Sequence, residues 1–199
     1  MEKTTNFLEI IPELIDILTN KIKLYHELFD TPLIAELWEE VLHKSIEELG
    51  YKTTWKPNRS HKVGEDMRIC GIPNSRISCK SGQFIKPKSL KKLCVKWNGS
   101  RTTKIPWENL NEKISLLSES HDDWIILLAK NKPFKKVYNL LIVNSNDTKV
   151  NLLDWKEKTE KTYEGSNKNF IASISKSMSH QLWTTYPCDL INYKYTITI

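Results

Sequence analysis

Apolar side chains recur at helical spacing in three parts of the chain, which predicts three helical segments. The first, from about Phe7 to Phe29, forms one or two helices, depending on whether Pro12 interrupts it. The second follows the start signal Asp30-Thr31-Pro32 and ends at Gly50, a residue suited to the position after a helix. The third runs from about Trp107 to Ser120. The second helix is predicted to bury one apolar stripe: Leu37, Trp38, Val41, Ile46 and Leu49.

Alternating or continuous apolar runs predict strands between and after these helices. The predicted strands are Tyr51 to Trp55, Leu93 to Trp97, Trp124 to Ala129, Val137 to Val143 and Tyr193 to Ile199. Turn residues occupy Asn98 to Thr103, and Ser173 to Trp183 is polar and alternating. Helices and strands interleaved along 199 residues predict a single α/β domain with one core.

The segment from Gly64 to Gly82 predicts a β-hairpin whose turn is centred on Pro73. That turn would place Asp66 opposite Lys80. Because side chains alternate between the faces of a strand, Ser78 would project from the same face as these two residues. The alternating positions would face the core: Ile77 and Cys79.

An aspartate beside a lysine suits metal-dependent hydrolysis. The Asp66 carboxylate could hold a hard divalent cation such as Mg²⁺, and the Lys80 ammonium could orient water or stabilise charge on a phosphate. The other interpretation is an ordinary cross-strand ion pair on a solvated face.

The distribution of charge points to a polyanionic partner. The net charge is only +6, but the stretch from Met67 to Trp107 contains ten Lys and Arg residues and no Asp or Glu. Such a segment would surround the hairpin with a potential that attracts phosphates. A solvated lysine-rich face explains the many lysines but not the missing carboxylates.

Cysteine usage and hydropathy narrow the class of protein. The four cysteines form no C-x-x-C pair, and no histidines are paired at zinc spacing, so we expect neither a zinc ribbon nor a disulfide scaffold. Neither a signal peptide nor an apolar run of membrane-spanning length is present. These features predict a reduced, cytoplasmic protein without a membrane partner.

The order of helix, strand, Asp-bearing strand and Lys-bearing strand resembles the core of the PD-(D/E)XK nucleases, which include type II restriction endonucleases and Mrr-type, resolvase-like enzymes. Residues 33 to 104 carry the resemblance. Trp38-Glu39 with Leu49-Gly50-Tyr51 looks like the family's helix pattern. Gly64-Glu65-Asp66 looks like its Gly-x-Asp, and Ser78-Cys79-Lys80 looks like its last half-motif. The resemblance implies a restriction-endonuclease-like core, a central mixed β-sheet flanked by helices.

Ser78 departs from the family pattern, because that position usually holds Asp or Glu. A serine cannot supply the second metal-binding carboxylate. Some restriction enzymes with a small or polar residue there take the missing charge from a helix glutamate, and Glu39 is the candidate here. The other interpretation of Glu39 is a solvated carboxylate beside Glu36 and Glu40.

The activity implied by the resemblance is that of a Mg²⁺-dependent type II restriction endonuclease, which hydrolyses phosphodiester bonds in double-stranded DNA at a specific, palindromic site. Asp66, Glu39 and the backbone carbonyl of Cys79 would hold the Mg²⁺, and no nucleotide cofactor is expected. Lys80 would orient the attacking water. Ser78 would hydrogen-bond that water or a ligand.

The resemblance also implies a homodimer, because a two-fold enzyme matches a palindromic site. Residues 1–30 would then be a helical region that could serve the dimer, 31–145 the catalytic core, and 146–199 a C-terminal segment that could contact DNA. Four side chains are candidate DNA contacts: Arg59, Lys62, Arg101 and Gln181. Each could equally be an ordinary exposed polar residue.

Two other functions stay open from the sequence. One is a structure-specific or modification-dependent nuclease, although 199 residues leave little room for a second domain that reads modified bases. The other is a non-enzymatic nucleic-acid-binding protein in which Asp66 and Lys80 form only an ion pair.

Overall fold

Three α-helices and ten strands form in the described part of the chain, residues 6–56, 65–119, 121–131 and 133–199 of the computed structural model. The helices are α1 (Phe7–Leu28), α2 (Ala35–Glu48) and α3 (Leu110–Ser118). The strands are β1 (Met67–Arg68), β2 (Arg76–Ile85), β3 (Cys94–Arg101), β4 (Trp124–Lys130), β5 (Val137–Asn144), β6 (Asp154–Thr159), β7 (Thr162–Ser166), β8 (Ile171–Ser175), β9 (Gln181–Pro187) and β10 (Tyr193–Thr198). Within these ranges, no helix combines the length and the apolar character that a membrane crossing requires.

All ten strands join one mixed sheet in the order β10-β5-β4-β2-β3-β9-β8-β7-β6, with β1 attached to β2. The pairing of β2 with β4 is parallel, whereas the other strand pairs are antiparallel. The predicted α/β class is therefore confirmed. The polar alternation near the C-terminus belongs to strands of this same sheet.

The first helix is continuous through Pro12. Asn6 caps its start, since the Asn6 side chain accepts a hydrogen bond from the Leu8 amide and Glu9 reaches back to the Asn6 amide. The missing N–H of Pro12 removes only one helical hydrogen bond close to this capped end. The buried apolar face, which includes Leu14, outweighs that loss.

The second helix ends close to the predicted position, because Gly50 takes a positive φ of +89°. Trp38 and Ile46 are buried as predicted, but Leu37 is 37% exposed and Leu42 is buried in its place. Residues 38, 42 and 46 are each four apart, so they form one line along the helix, and Leu37 lies about 100° away from it.

The sheet buries apolar side chains on both faces. On the helix face, α1 and α2 pack Trp38 and other apolar side chains against Ile77 and Cys79 of β2. We call the opposite face the cavity face, after the cavity described below. There α3 and the segment 150–153 cover residues that include Trp97 and Leu127. Alternate residues of β2 therefore point into two different environments.

Two predicted elements differ from the structure. Tyr51 to Trp55 is not a strand. Thr53 pairs with Ile69 in an isolated bridge, and the neighbouring residues do not extend this pairing into a strand. The predicted turn at Asn98 to Thr103 is instead the end of β3, which pairs with β9 as far as Arg101 through an irregular register.

Candidate active site

A gap in strand pairing leaves one edge of β2 open next to the predicted hairpin. β4 occupies one edge of β2, and β1 and β3 share the other. β1 pairs with Arg76 and Ile77, and β3 pairs with Gln83 to Ile85. Between these two pairings, at 78–82, no described strand pairs with that edge. Backbone groups in this stretch therefore need other partners.

Asp66 fills the start of the gap. Its Oδ2 accepts a 2.6 Å hydrogen bond from the Cys79 amide, a 3.0 Å bond from Lys80 Nζ and a 3.4 Å bond from Ser78 Oγ. The Asp66 amide donates to the Ile77 carbonyl at 2.9 Å. The carboxylate is thus held in place by the backbone of β2, where it substitutes for a missing strand partner.

The hairpin register differs by two residues from the predicted one. Met67 pairs with Ile77, so Asp66 lies level with Ser78 rather than opposite Lys80. A shift of two keeps every side chain on its predicted face, because side chains alternate with a period of two. Lys80 therefore still reaches Asp66, as a diagonal neighbour.

The turn itself explains the shift. Its centre is Ile72, not Pro73, because the backbone adopts positive φ values at Gly71 (+85°) and Asn74 (+49°). Ser75 Oγ closes the loop by donating to the Ile72 carbonyl at 2.7 Å.

The Asp66–Lys80 pair is sheltered from solvent. The side chains are 14% and 24% exposed, respectively. Charges sheltered to this degree lose hydration, and additional hydrogen bonds such as the one from the Cys79 amide must compensate for the loss. This burial distinguishes the pair from a surface ion pair on a solvated face.

A cavity of about 90 Å³ lies beside Ser78 and Lys80, on the cavity face. This volume has room for several water molecules. Its wall combines polar, charged and apolar side chains, including Trp97, Ser118, Asp122, Ser145, Lys149 and Leu182. A small polar ligand or a hydrated cation could therefore occupy it.

Asp122 is the residue of this cavity that the sequence analysis missed. It is only 7% exposed, and its Oδ1 has no hydrogen-bond partner among the described residues. Burial is the main cause that raises the pKa of Asp122 to about 6. A hydrogen bond from its own amide and the charge of Lys80 lower this pKa, and the charge of Asp66 raises it. A buried carboxylate with an unsatisfied oxygen is costly to the fold, which makes it a functional candidate.

The neighbouring Asp123 has a structural role. Its Oδ2 accepts hydrogen bonds from the amide and Nε of Arg76, at 2.9 and 3.0 Å, and its Oδ1 accepts one from Nη2 at 2.8 Å. Burial raises the pKa of Asp123, but the hydrogen bonds and charge of Arg76 outweigh it and lower that pKa overall.

The sequence signal that could have identified Asp122 is the Asp-Asp pair immediately before the buried strand β4. The parallel pairing of β2 with β4 places the segment before β4 beside β2, and Asp122 and Lys80 line the same cavity.

Glu39 approaches β2 from the helix face. It is half-buried on α2. The pKa of the Cys79 thiol is raised mainly by burial and then by the charges of Asp66 and Glu39, so Glu39 is electrostatically coupled to this strand position. Because the amide and carbonyl of a strand residue point toward the same edge, the Cys79 carbonyl faces the gap that contains Asp66. The Cys79 side chain is packed in the core of the helix face.

The donor atoms of the site suit a hard cation. Among the described residues, no group of three or more His, Cys, Asp and Glu side chains is arranged to hold a metal ion. The site offers the carboxylates of Asp66 and Asp122 with hydroxyl and carbonyl oxygens. Mg²⁺ typically takes one or two carboxylates and keeps several waters. Asp122 Oδ1, which has no hydrogen-bond partner among the residues that the structure describes, fits this preference beside a cavity of this size.

The predicted DNA contacts lie in different surroundings. Arg59 and Lys62 fall outside the described residues. Arg101 is exposed at the end of β3. Gln181 is buried, and its Nε2 donates to the Gly99 carbonyl at 3.2 Å, so this donor is already used between β9 and β3.

Comparison with known proteins gives no relative: no family model, no curated protein and no solved structure matches the chain. The geometry of Asp66, Lys80 and the adjacent cavity therefore carries the functional proposal.

Proposed function

We propose that this protein is a Mg²⁺-dependent endonuclease of the restriction type, which hydrolyses phosphodiester bonds in double-stranded DNA. The observation that carries the proposal is the Asp66–Lys80 pair, a carboxylate fixed by a strand amide with an ammonium 3.0 Å away. The pair lies at a gap in the sheet and next to a cavity lined by polar, charged and apolar side chains. Hydrolysis of a phosphate diester requires these parts: a cation ligand, a fixed positive charge and space for water.

Each residue of the pair has a chemical role in this proposal. Asp66 and the Cys79 carbonyl, with Glu39 as a further candidate, would hold Mg²⁺. The bound cation would lower the pKa of a water molecule and neutralise charge on the phosphate. Lys80 would orient the water and stabilise the negative charge that develops as oxygen bonds to phosphorus and one P–O ester bond breaks. Ser78 would donate a hydrogen bond to the water.

The charge distribution supports DNA as the substrate. The basic segment 67–107 forms β1, β2 and β3, which carry the site. Lys86, Lys88 and Lys91 are exposed in the connection between β2 and β3. Exposed positive charges near a site of phosphate chemistry attract and position the backbone of a nucleic acid.

Exposed apolar side chains support a homodimer. Four of them lie in the C-terminal part of α1 and in the connection from α1 to α2: Leu24, Leu28, Phe29 and Ile34. Large apolar side chains grouped on a surface commonly mark an interface between proteins. A second copy of the chain is the partner we propose, because a two-fold enzyme could cut both strands of a palindromic site.

Digestion of DNA by the purified protein tests the proposed function. We expect unmodified viral DNA to give discrete bands with Mg²⁺ and to stay intact with EDTA. Parallel samples contain methylated DNA and branched DNA of the same sequence. The variant Lys135→Ala, which removes an exposed lysine in the connection between β4 and β5, serves as a control that should cut like the wild type.

Other outcomes favour other functions. Scission limited to methylated or branched DNA would favour the modification-dependent or structure-specific nuclease. DNA binding without Mg²⁺-dependent scission of any substrate would contradict the proposal and favour a non-enzymatic nucleic-acid-binding protein.

A further inference from the structure

A cation bound by Asp66 would need a second anionic ligand. Asp66 Oδ2 already accepts hydrogen bonds from three donors, one of them the charged Lys80. The number of charged ligands strongly affects the affinity of an oxygen site for a divalent cation. The strand residue level with Asp66 is Ser78, whose hydroxyl carries no charge.

Asp122 meets three requirements for that ligand. Its side chain lines the same cavity as Ser78 and Lys80. Its Oδ1 is buried and has no hydrogen-bond partner among the described residues, so one oxygen is available without breaking a contact. Its charge also interacts with those of Lys80 and Asp66, so the three groups share one electrostatic environment.

We infer that Asp122 is a ligand of a divalent cation bound at this cavity, where it supplies a second carboxylate to accompany Asp66, which accepts hydrogen bonds from the lining residues Ser78 and Lys80. This inference rests on the proposed function, since it identifies how the same site holds its cation. It differs from the expectation for Glu39, which approaches β2 from the helix face.

The contrast with Asp123 supports a role in ligand binding. Both aspartates precede β4, and both are largely withdrawn from solvent. Arg76 donates hydrogen bonds to both oxygens of Asp123, whereas Oδ1 of Asp122 has no donor in the described part of the chain. A buried, unsatisfied carboxylate destabilises the fold unless something else compensates for its charge. A divalent cation would do so.

Titration with Mn²⁺ in the absence of DNA tests the inference, with free Mn²⁺ measured by electron paramagnetic resonance at pH 8. Five proteins are compared: the wild type, Asp122→Asn, Asp122→Glu, Glu39→Gln and Asp154→Asn. Asp154 is an exposed aspartate on β6, so its variant is a matched control for the loss of one negative charge. Far-UV circular dichroism establishes that each variant is folded.

We expect Asp122→Asn to weaken Mn²⁺ binding at least tenfold and Asp154→Asn to leave it unchanged. Asp122→Glu keeps a carboxylate in the cavity and should bind more tightly than Asp122→Asn. Glu39→Gln should weaken binding less than Asp122→Asn does. Equal affinity in wild type and Asp122→Asn, or no Mn²⁺ binding by the wild type, would overturn the inference.

The two proposals can fail separately. Mn²⁺ binding that depends on Asp122 without scission of any DNA would keep the cation ligand and contradict the nuclease. Scission of DNA with Mn²⁺ affinity unchanged in Asp122→Asn would keep the nuclease and overturn the role of Asp122.

Discussion

The two faces of β2 differ sharply although their residues alternate along one strand. On the helix face, Ile77 and Cys79 are packed among apolar side chains of α1 and α2. On the cavity face, Ser78 and Lys80 line a cavity whose wall combines charged, polar and apolar side chains. One strand can therefore contribute to stability with one set of positions and to chemistry with the other. Substitutions on the two faces should therefore have different effects.

Asp66→Asn should have the largest effect on activity. The amide keeps an oxygen that can accept the hydrogen bond from Cys79, but the negative charge that would hold the cation is lost. We expect the rate of DNA scission to fall by about 100-fold or more. Initial rates at saturating Mg²⁺ measure this effect, with Asp154→Asn as the charge-matched control. A rate within threefold of the wild type would contradict the assignment of Asp66.

Leu18→Ala tests the helix face. Leu18 is fully buried in α1, so its truncation leaves a cavity and should reduce the free energy of unfolding by about 3 kcal/mol. Urea unfolding measures the loss, and Leu152→Ala, an exposed leucine, should change stability by less than about 0.5 kcal/mol. Scission per folded molecule should stay unchanged. A selective loss of scission would show that the two faces are not separable.

Asp122→Asn should make the metal-free protein more stable than the wild type, by an amount that grows as the pH rises. The pKa of Asp122 is about 6 in the folded chain against an ordinary 3.8, so folding favours the protonated form. The wild-type carboxyl therefore costs nothing below about pH 4, and its cost grows through pH 6 to about 3 kcal/mol. Urea unfolding in EDTA at pH 4 and pH 8 should show the variant gaining relative to the wild type between these pH values. A constant difference would contradict the burial of an unpaired charge.

Arg101→Ala should have the smallest effect. Arg101 is exposed at the end of β3, and a contact with a DNA phosphate would contribute affinity without reading sequence. We expect DNA binding to weaken about fivefold, with the slope of log affinity against log salt concentration reduced by about 1. Lys135→Ala, which removes an exposed lysine between β4 and β5, is the control, and an unchanged salt slope in Arg101→Ala would remove Arg101 from the interface.

The local pattern of apolar and polar residues predicted most helices and strands, but it did not predict which strands pair over long distances in the sequence. The three helices and the strands β3, β4, β5 and β10 follow from periodicity, as does the face on which Asp66 and Lys80 meet. The turn with positive φ at Asn74 shifted the register by two, which preserved that face. Asp122 could not be predicted, because the parallel pairing that brings it to Lys80 joins segments more than forty residues apart.

DNA cleavage and DNA binding by Lys80→Ala, measured on the same samples, test the central claim most directly. Lys80 lies 3.0 Å from Asp66, and its ammonium is the group proposed to stabilise the reacting phosphate. We predict that Lys80→Ala loses Mg²⁺-dependent scission by about 100-fold or more while its affinity for the same duplex stays within a few fold of the wild type. Scission at the wild-type rate, or a loss of binding equal to the loss of scission, would contradict the account.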